Sequence, residues 1–250
     1  MQTAGFHGRK RTLLTICSKF LDKHKEKRVY GRRQSRPLNK SRAEAMQLLP
    51  SLSVPEDLLK EDGNLSPSSL FDCDYKQCWF EIGFGSGEHL SALMRRHPDY
   101  AWLGAEPYIN GMAAFLKDIQ DLDRQNVRVH MDDAMMLANS LGDGSLDGIY
   151  ILNPDPWHKK RHHKRRIVNP ANLDVFSRIL KPGGKLIMST DVPYLADWMV
   201  THAARHKDFK WLAKSAKDWQ SPPNDWVTTA YEVKGAKGAK QMVYLFFNKT

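Results

Sequence analysis

From residue 78 onward, short apolar runs alternate with amphipathic stretches. Cys78–Ile82, Ala101–Ala105, 127–131, Leu146–Leu152 and 185–189 are mostly apolar and too short for helices, which predicts strands buried on both faces. Between them, apolar residues recur at helical spacing. Leu90, Leu93 and Met94 do so before Pro98 stops the pattern. Tyr108, Met112, Phe115, Leu116, Ile119 and Leu122 give a longer stripe over 108–122. Leu173, Phe176, Ile179 and Leu180 line a helix that Lys181-Pro-Gly-Gly184 ends, and 194–204 form another with Pro193 at its first position. Strands alternating with helices imply βαβ units and a parallel sheet. Residues 209–212 and 241–247 are expected to close it, giving seven strands with helices on both faces.

Before residue 78 the pattern is weaker. Residues 43–49, with Met46, Leu48 and Leu49, predict a helix ended by Pro50 and Pro55, and 61–69 read as a loop. Three parts follow: an arm, 1–28; a helical extension and loop, 29–74; and the main domain, 75–250. Charge sharpens that division. Residues 1–50 carry 13 Lys or Arg against three acids, while the rest carry 25 of each, so the net charge of +10 sits in the first fifth. A basic arm on a neutral domain suits a polyanion, nucleic acid ahead of a membrane surface because no long amphipathic pattern accompanies it. A merely solubilising tail is the plainer alternative. Cys17, Cys73 and Cys78 are odd in number and lack metal-ligand spacing, so a reducing, cytoplasmic setting is expected. The apolar run 13–17 is too short for a secretory signal, whereas an organelle transit peptide stays open for this basic start. No apolar run approaches a membrane span.

In open α/β sheets, ligands bind beyond the carboxyl ends of the strands. Glu81-Ile-Gly-Phe-Gly-Ser-Gly87 stands there, with Gly83 and Gly85 permitting a tight turn and the next helix offering free N–H groups. A dinucleotide fingerprint wants its third glycine at 88, which is Glu88. That glycine comes one residue early, at Gly87, so a nucleoside without pyrophosphate fits better than NAD. Glu106 ends the second strand, where an acid can accept from both ribose hydroxyls. Asp132 and Asp133 follow the third strand, where a carboxylate can meet an adenine amino group. Each acid alone is more simply a helix cap; three at successive strand ends beside a glycine loop form a candidate cofactor site.

The fourth strand runs into Asn153-Pro-Asp-Pro-Trp157 and then nine consecutive Lys, Arg or His residues, 158–166. Pro154 and Pro156 fix their own φ and push the residues before them toward extended backbone, which predicts a stiff loop. Trp157 either stacks on a base or wedges the loop. His158, His162 and His163 sit among six Lys or Arg, which would repel a metal cation, so no metal site is expected and phosphate contact is.

Together these residues resemble the bacterial tRNA (guanine-N7-)-methyltransferase family, which has the Rossmann-like class I methyltransferase fold and uses S-adenosylmethionine. The matching positions are Glu81 to Gly87, Gly104-Ala-Glu106, Asp133-Ala134, Pro154-Asp-Pro-Trp-His-Lys159 with Arg161 to Arg166, Thr190-Asp191, Thr229-Ala-Tyr-Glu232 and Tyr30-Gly-Arg-Arg33. The resemblance runs from about residue 29 to the C-terminus. It implies that Glu81, Gly83, Gly85, Glu106, Asp133 and Asp155 contact the cofactor, Asp155 being catalytic as well. It implies that Lys159, Asp191, Thr229 and Glu232 contact substrate, and that Arg161, His162, His163, Lys164, Arg165 and Arg166 contact RNA. For Asp191, just ahead of Pro193, a helix-capping role is the alternative. Asn153 and Ala105 depart from the family pattern, which commonly has an aromatic and a larger aliphatic there. The implied reaction is methylation of N7 of a tRNA guanine, the variable-loop nucleotide 46, by a monomer or homodimer with no obligatory protein partner. An RNA-binding protein that has lost turnover is the competing class, and an affinity for S-adenosylmethionine separates the two.

Overall fold

The computed structural model describes residues 30–31, 33–235 and 241–250, so the arm at 1–28 lies outside the described residues. The first helix, α1 (Lys40–Ala45), starts at Asn39, whose side chain accepts a hydrogen bond from the Arg42 N–H. Pro50 does not stop the chain there, as its sequence predicts. A 3-10 turn leads into α2 (Leu49–Leu52), and Pro50 falls in its first turn, where a missing N–H costs nothing. Ala45, Met46, Leu49 and Leu52 are buried in the same cluster as Trp102, Val127 and Val129.

The alternation of β1 (Cys78–Ile82), α3 (Glu88–Arg96), β2 (Ala101–Ala105), α4 (Ile109–Asp118), β3 (Val127–His130), α5 (Ala134–Ser140), β4 (Leu146–Leu152), α6 (Pro170–Ile179) and β5 (Leu180–Thr190) follows. The chain then forms α7 (Pro193–Arg205), β6 (Phe209–Trp211), α8 (Lys217–Gln220), α9 (Ala230–Lys234) and β7 (Val243–Lys249). The seven strands lie in the order β3-β2-β1-β4-β5-β7-β6, parallel except where β7 pairs with β5 and β6. This is the Rossmann-like, mostly parallel seven-stranded sheet with both faces covered that the sequence predicts. Every position of β1 and β2 is buried, because two apolar clusters cover the opposite faces of the sheet.

Several elements differ from the sequence reading, three of them for evident physical reasons. The helix at 108–122 stops at Asp118. Asp121 and Asp123 would sit unfavourably at its negative end, and the Arg124 guanidinium instead covers the carbonyls of Ile119, Gln120 and Leu122. Helix α5 was not predicted; with seven residues it is too short to show a period, and the Asp133 side chain caps it by accepting from the Met135 N–H at 2.9 Å. Strand β5 begins at Leu180, which pairs with Leu146, and a bulge at 181–184 restores the register at Lys185 opposite Gly148.

Register levels the ends of the parallel strands. Ile82 lies beside Ala105 and Ile151, Ala105 beside His130, and Leu152 beside Ser189. The residues that follow each strand therefore emerge at one edge. At that edge the connection from β3 crosses to β4 on the far side of β1, and the reversal opens a crevice.

Candidate active site

The crevice is a cleft of about 810 Å³, lined by Gly83, Glu106, Asp133, Asp155 and Trp157 among others. Gly83 and Gly85 have φ of 71° and 58°, and a side chain added at either would meet nothing within 4 Å, so the glycine loop offers bare backbone to open space. The third glycine has a different duty. A Cβ on Gly87 would stand 2.3 Å from the Phe115 ring, so its hydrogen lets α3 start tight against α4.

Glu106 holds this wall together. One carboxylate oxygen accepts from the Gly85 N–H at 2.7 Å and the other from the Tyr108 N–H at 2.8 Å. Burial pushes its pKa up to about 7 despite those two hydrogen bonds, and the nearby charges of Asp155 and Glu81 push the same way. Asp133 keeps one oxygen on its cap bond and borders the cleft. Asp132 accepts from the Asp133 N–H and from Arg33, whose guanidinium lies 3.3 Å away. Glu81 stands behind the loop, not in the cleft lining. It is 3% exposed, with its carboxylate 2.8 Å from Nδ1 of His89.

The opposite wall is the loop after β4. Asn153 has φ of 47° and Trp157 of 43°, so both are left-handed where extended backbone was predicted for Asn153. Asn tolerates that region better than most residues, and the Asn153 N–H stays on the sheet through the Ser189 carbonyl at 2.9 Å. The turn swings Asp155 toward the cleft, where its Oδ2 lies 3.8 Å from the place a Gly31 side chain would occupy. Loss of water around the carboxyl raises the pKa of Asp155, although the residue's surface stays open at the cleft mouth. Arg166 braces the loop from beneath. It is 3% exposed, its Nε–H donates to the Pro156 carbonyl at 2.9 Å, and its guanidinium lies 4.7 Å from the centre of the Trp198 ring.

The predicted RNA-contacting run thus divides. Lys159, Arg161 and Lys164 are exposed, Arg165 stacks 4.1 Å over Tyr30 and 5.1 Å over Trp157, and Arg166 turns inward. His162 meets the Trp157 ring edge-on and His163 the Trp198 ring. Asp191 is buried and does not cap α7, whose N-cap is Val192 with no side-chain bond. Thr229 caps α9 by accepting from the Glu232 N–H at 3.3 Å. The Glu232 carboxylate accepts from the Trp226 indole N–H at 3.0 Å. Burial and the charges of Asp191 and Asp155 raise the pKa of the Tyr231 phenol.

A family model described as "Putative methyltransferase" matches residues 76–245. A tRNA (guanine-N(7)-)-methyltransferase of Rhodospirillum rubrum is 38% identical over 223 residues, which cover 89% of this chain and 88% of that protein. Its counterpart in Agrobacterium fabrum is 38% identical over 219 residues, covering 87% and 93%. The chain belongs to the tRNA (guanine-N(7)-)-methyltransferase family. Among solved structures, the 16S rRNA methyltransferase KamB aligns with a TM-score of 0.47 at 12% identity, over 71% of this chain and 89% of that one.

As a member of a methyltransferase family the chain transfers a methyl group, and its cleft suits the S-adenosylmethionine that the sequence predicts as donor. Bare backbone at Gly83 and Gly85, with the carboxylates of Glu106, Asp133 and Asp155 around one cavity, suits a cationic nucleoside that carries hydroxyl and amino donors. Sequence reasoning missed Tyr30, Gly31, Arg33 and His89 as parts of this site. Tyr30-Gly-Arg-Arg33 was visible as a motif, but its contacts span large separations, 99 residues between Arg33 and Asp132. His89 carried no signal beyond its place in the first turn of a helix.

Proposed function

We propose that the chain transfers a methyl group from S-adenosylmethionine to N7 of the variable-loop guanine, nucleotide 46, of tRNA. The observation that carries this reading is the placement of Asp155: on a loop with left-handed turns at Asn153 and Trp157, facing the glycine cleft, and followed at once by the exposed cations Lys159, Lys160, Arg161 and Lys164. Guanine N7 has a lone pair and no proton, so the attacking atom needs no general base. Catalysis then rests on alignment and on stabilising charge as the base becomes cationic. When bound, the cofactor supplies an electrophilic methyl on a positive sulfonium.

The chain's own residues divide the remaining work. Glu106 accepts from the ribose hydroxyls and Asp133 from the adenine amino group, while Glu81 supports the glycine loop from behind. Asp155 holds the amino end of the cofactor and the edge of the base. Thr229, Glu232, Asp191 and Lys159 bound the base pocket, and the exposed cations of 160–165 grip phosphate. Arg166 serves that grip indirectly, by fixing the loop above it.

Incubating the chain with unmodified tRNA and labelled S-adenosylmethionine tests the reaction. Strand scission specific for N7-methylguanine should release the label at nucleotide 46; label retained through that treatment contradicts the assignment.

A further inference from the structure

Helix α9 carries the Thr229–Glu232 segment assigned above to substrate, yet with five residues it cannot hold itself. Val233 is 79% exposed and Tyr231 46% exposed, so little burial fixes it either. From the first turn of α3, Glu88 reaches it directly and His89 reaches the Trp226 that bonds to it. The Oε2 of Glu88 accepts from the Ala230 N–H, at the first position of α9, at 2.6 Å across 142 residues of sequence. His89 is buried and lies with its ring centre 4.6 Å from Tyr150 and 5.7 Å from Trp226. Trp226 in turn donates its indole N–H to Glu232 and packs edge-on against Tyr244 at 4.9 Å. On its other side, His89 holds Glu81 at the end of β1.

We propose that Glu88 and His89 are positioning residues that tie the glycine loop to α9, so that cofactor and tRNA each strengthen the binding of the other. The physical path is short and contiguous. Gly87 ends the cofactor loop and caps α3, and the next two residues set where α9 begins and where the Trp226–Glu232 pair rests. A ligand that fixes the loop fixes the turn carrying Glu88 and His89, and α9 then loses less freedom when RNA arrives. Burial pushes the Glu232 carboxyl up, while Trp226, His89 and the Asn153 side chain hold it down. Glu88 stands where a dinucleotide fold would have its third glycine, and its bond to α9 gives the departure a purpose. The inference rests on the reading of Thr229–Glu232 as substrate contacts.

The test measures the affinity of S-adenosylhomocysteine for the full chain, with and without saturating unmodified tRNA. The wild-type protein should bind it about fivefold or more tightly with tRNA present. Glu88→Ala, at an exposed position that leaves the core intact, should bring that factor below about twofold, with the affinity for S-adenosylhomocysteine alone unchanged. Glu88→Gln keeps an acceptor oxygen and should restore coupling, and His89→Gln should weaken it. Undiminished coupling in Glu88→Ala, or none in the wild type when both ligands bind, overturns the proposal. A wild type that binds S-adenosylhomocysteine but no tRNA overturns the tRNA-methylation reading itself, and this inference with it.

Discussion

The wall built from β1, β2 and β3 holds its acids with backbone N–H groups: both oxygens of Glu106 and one of Asp133 are occupied before any ligand arrives. The wall after β4 is organised differently. Asp155 sits between two left-handed residues, and its loop is steadied by Arg166 through the Pro156 carbonyl. The first wall is preorganised by the sheet and by helix starts; the second is held by one buried cation and two strained turns. The contrast suits a site that binds one ligand by shape and hydrogen bonds and presents one acid to a second ligand entering from the cationic side.

The sharpest way to break this contrast is at Asp155. Asp155→Ala should lower kcat by roughly 10²–10³-fold, as does loss of a preorganised electrostatic group, and leave tRNA affinity nearly unchanged. Unaltered turnover in single-turnover assays would remove Asp155 from the chemistry. Arg166→Met comes next. It strips the Pro156 carbonyl of its charged donor, which should cost about 2 kcal/mol of stability and, through displacement of the loop, on the order of 10²-fold in kcat. Thermal melts and steady-state rates measured together check this, and an effect on tRNA affinity alone would make Arg166 an RNA contact instead.

Replacing Lys160, Arg161 and Lys164 by Ala should weaken tRNA binding on the order of tenfold near physiological salt. The logarithmic salt slope should flatten by about 0.7–0.9 for each phosphate that the protein then leaves unneutralised. The smallest effect is expected on the preorganised wall. Burial raises the Glu106 pKa to about 7, so the ionised carboxylate that a ribose diol wants is depleted below that pH. Affinity for S-adenosylhomocysteine should fall by up to about tenfold per pH unit below 7, and Glu106→Gln should flatten the profile. Stability runs the other way. A carboxyl whose folded pKa is raised stabilises the unliganded fold at low pH, and that contribution is lost as pH rises through about 7. Calorimetric titrations and melts from about pH 5 to 8, spanning the range between the ordinary and the raised value, distinguish the two trends.

Much of the first wall was legible in the sequence, because parallel strands buried on both faces leave apolar runs and their ends place Gly83, Glu106 and Asp133 on one edge. The second wall was legible in composition but not in geometry. Nothing in a run of nine basic residues marks Arg166 as the one that turns inward; that depends on Trp198, on a helix some thirty residues later. The left-handed turn at Asn153 defied the rule that residues before proline are extended, since the sheet bond to Ser189 and the direction of the chain there outweighed local sterics. Asp133 fits the cap reading and borders the cofactor cleft, whereas the cap reading of Asp191 does not hold.

Tyr30 rests under the Arg165 guanidinium and beside Trp157, which anchors the start of the described chain at the mouth of the cleft. The Arg165 charge is thus gripped between two rings and presented at a fixed place beside the doorway through which a polynucleotide would enter, so trimming either ring would blur where that charge is offered.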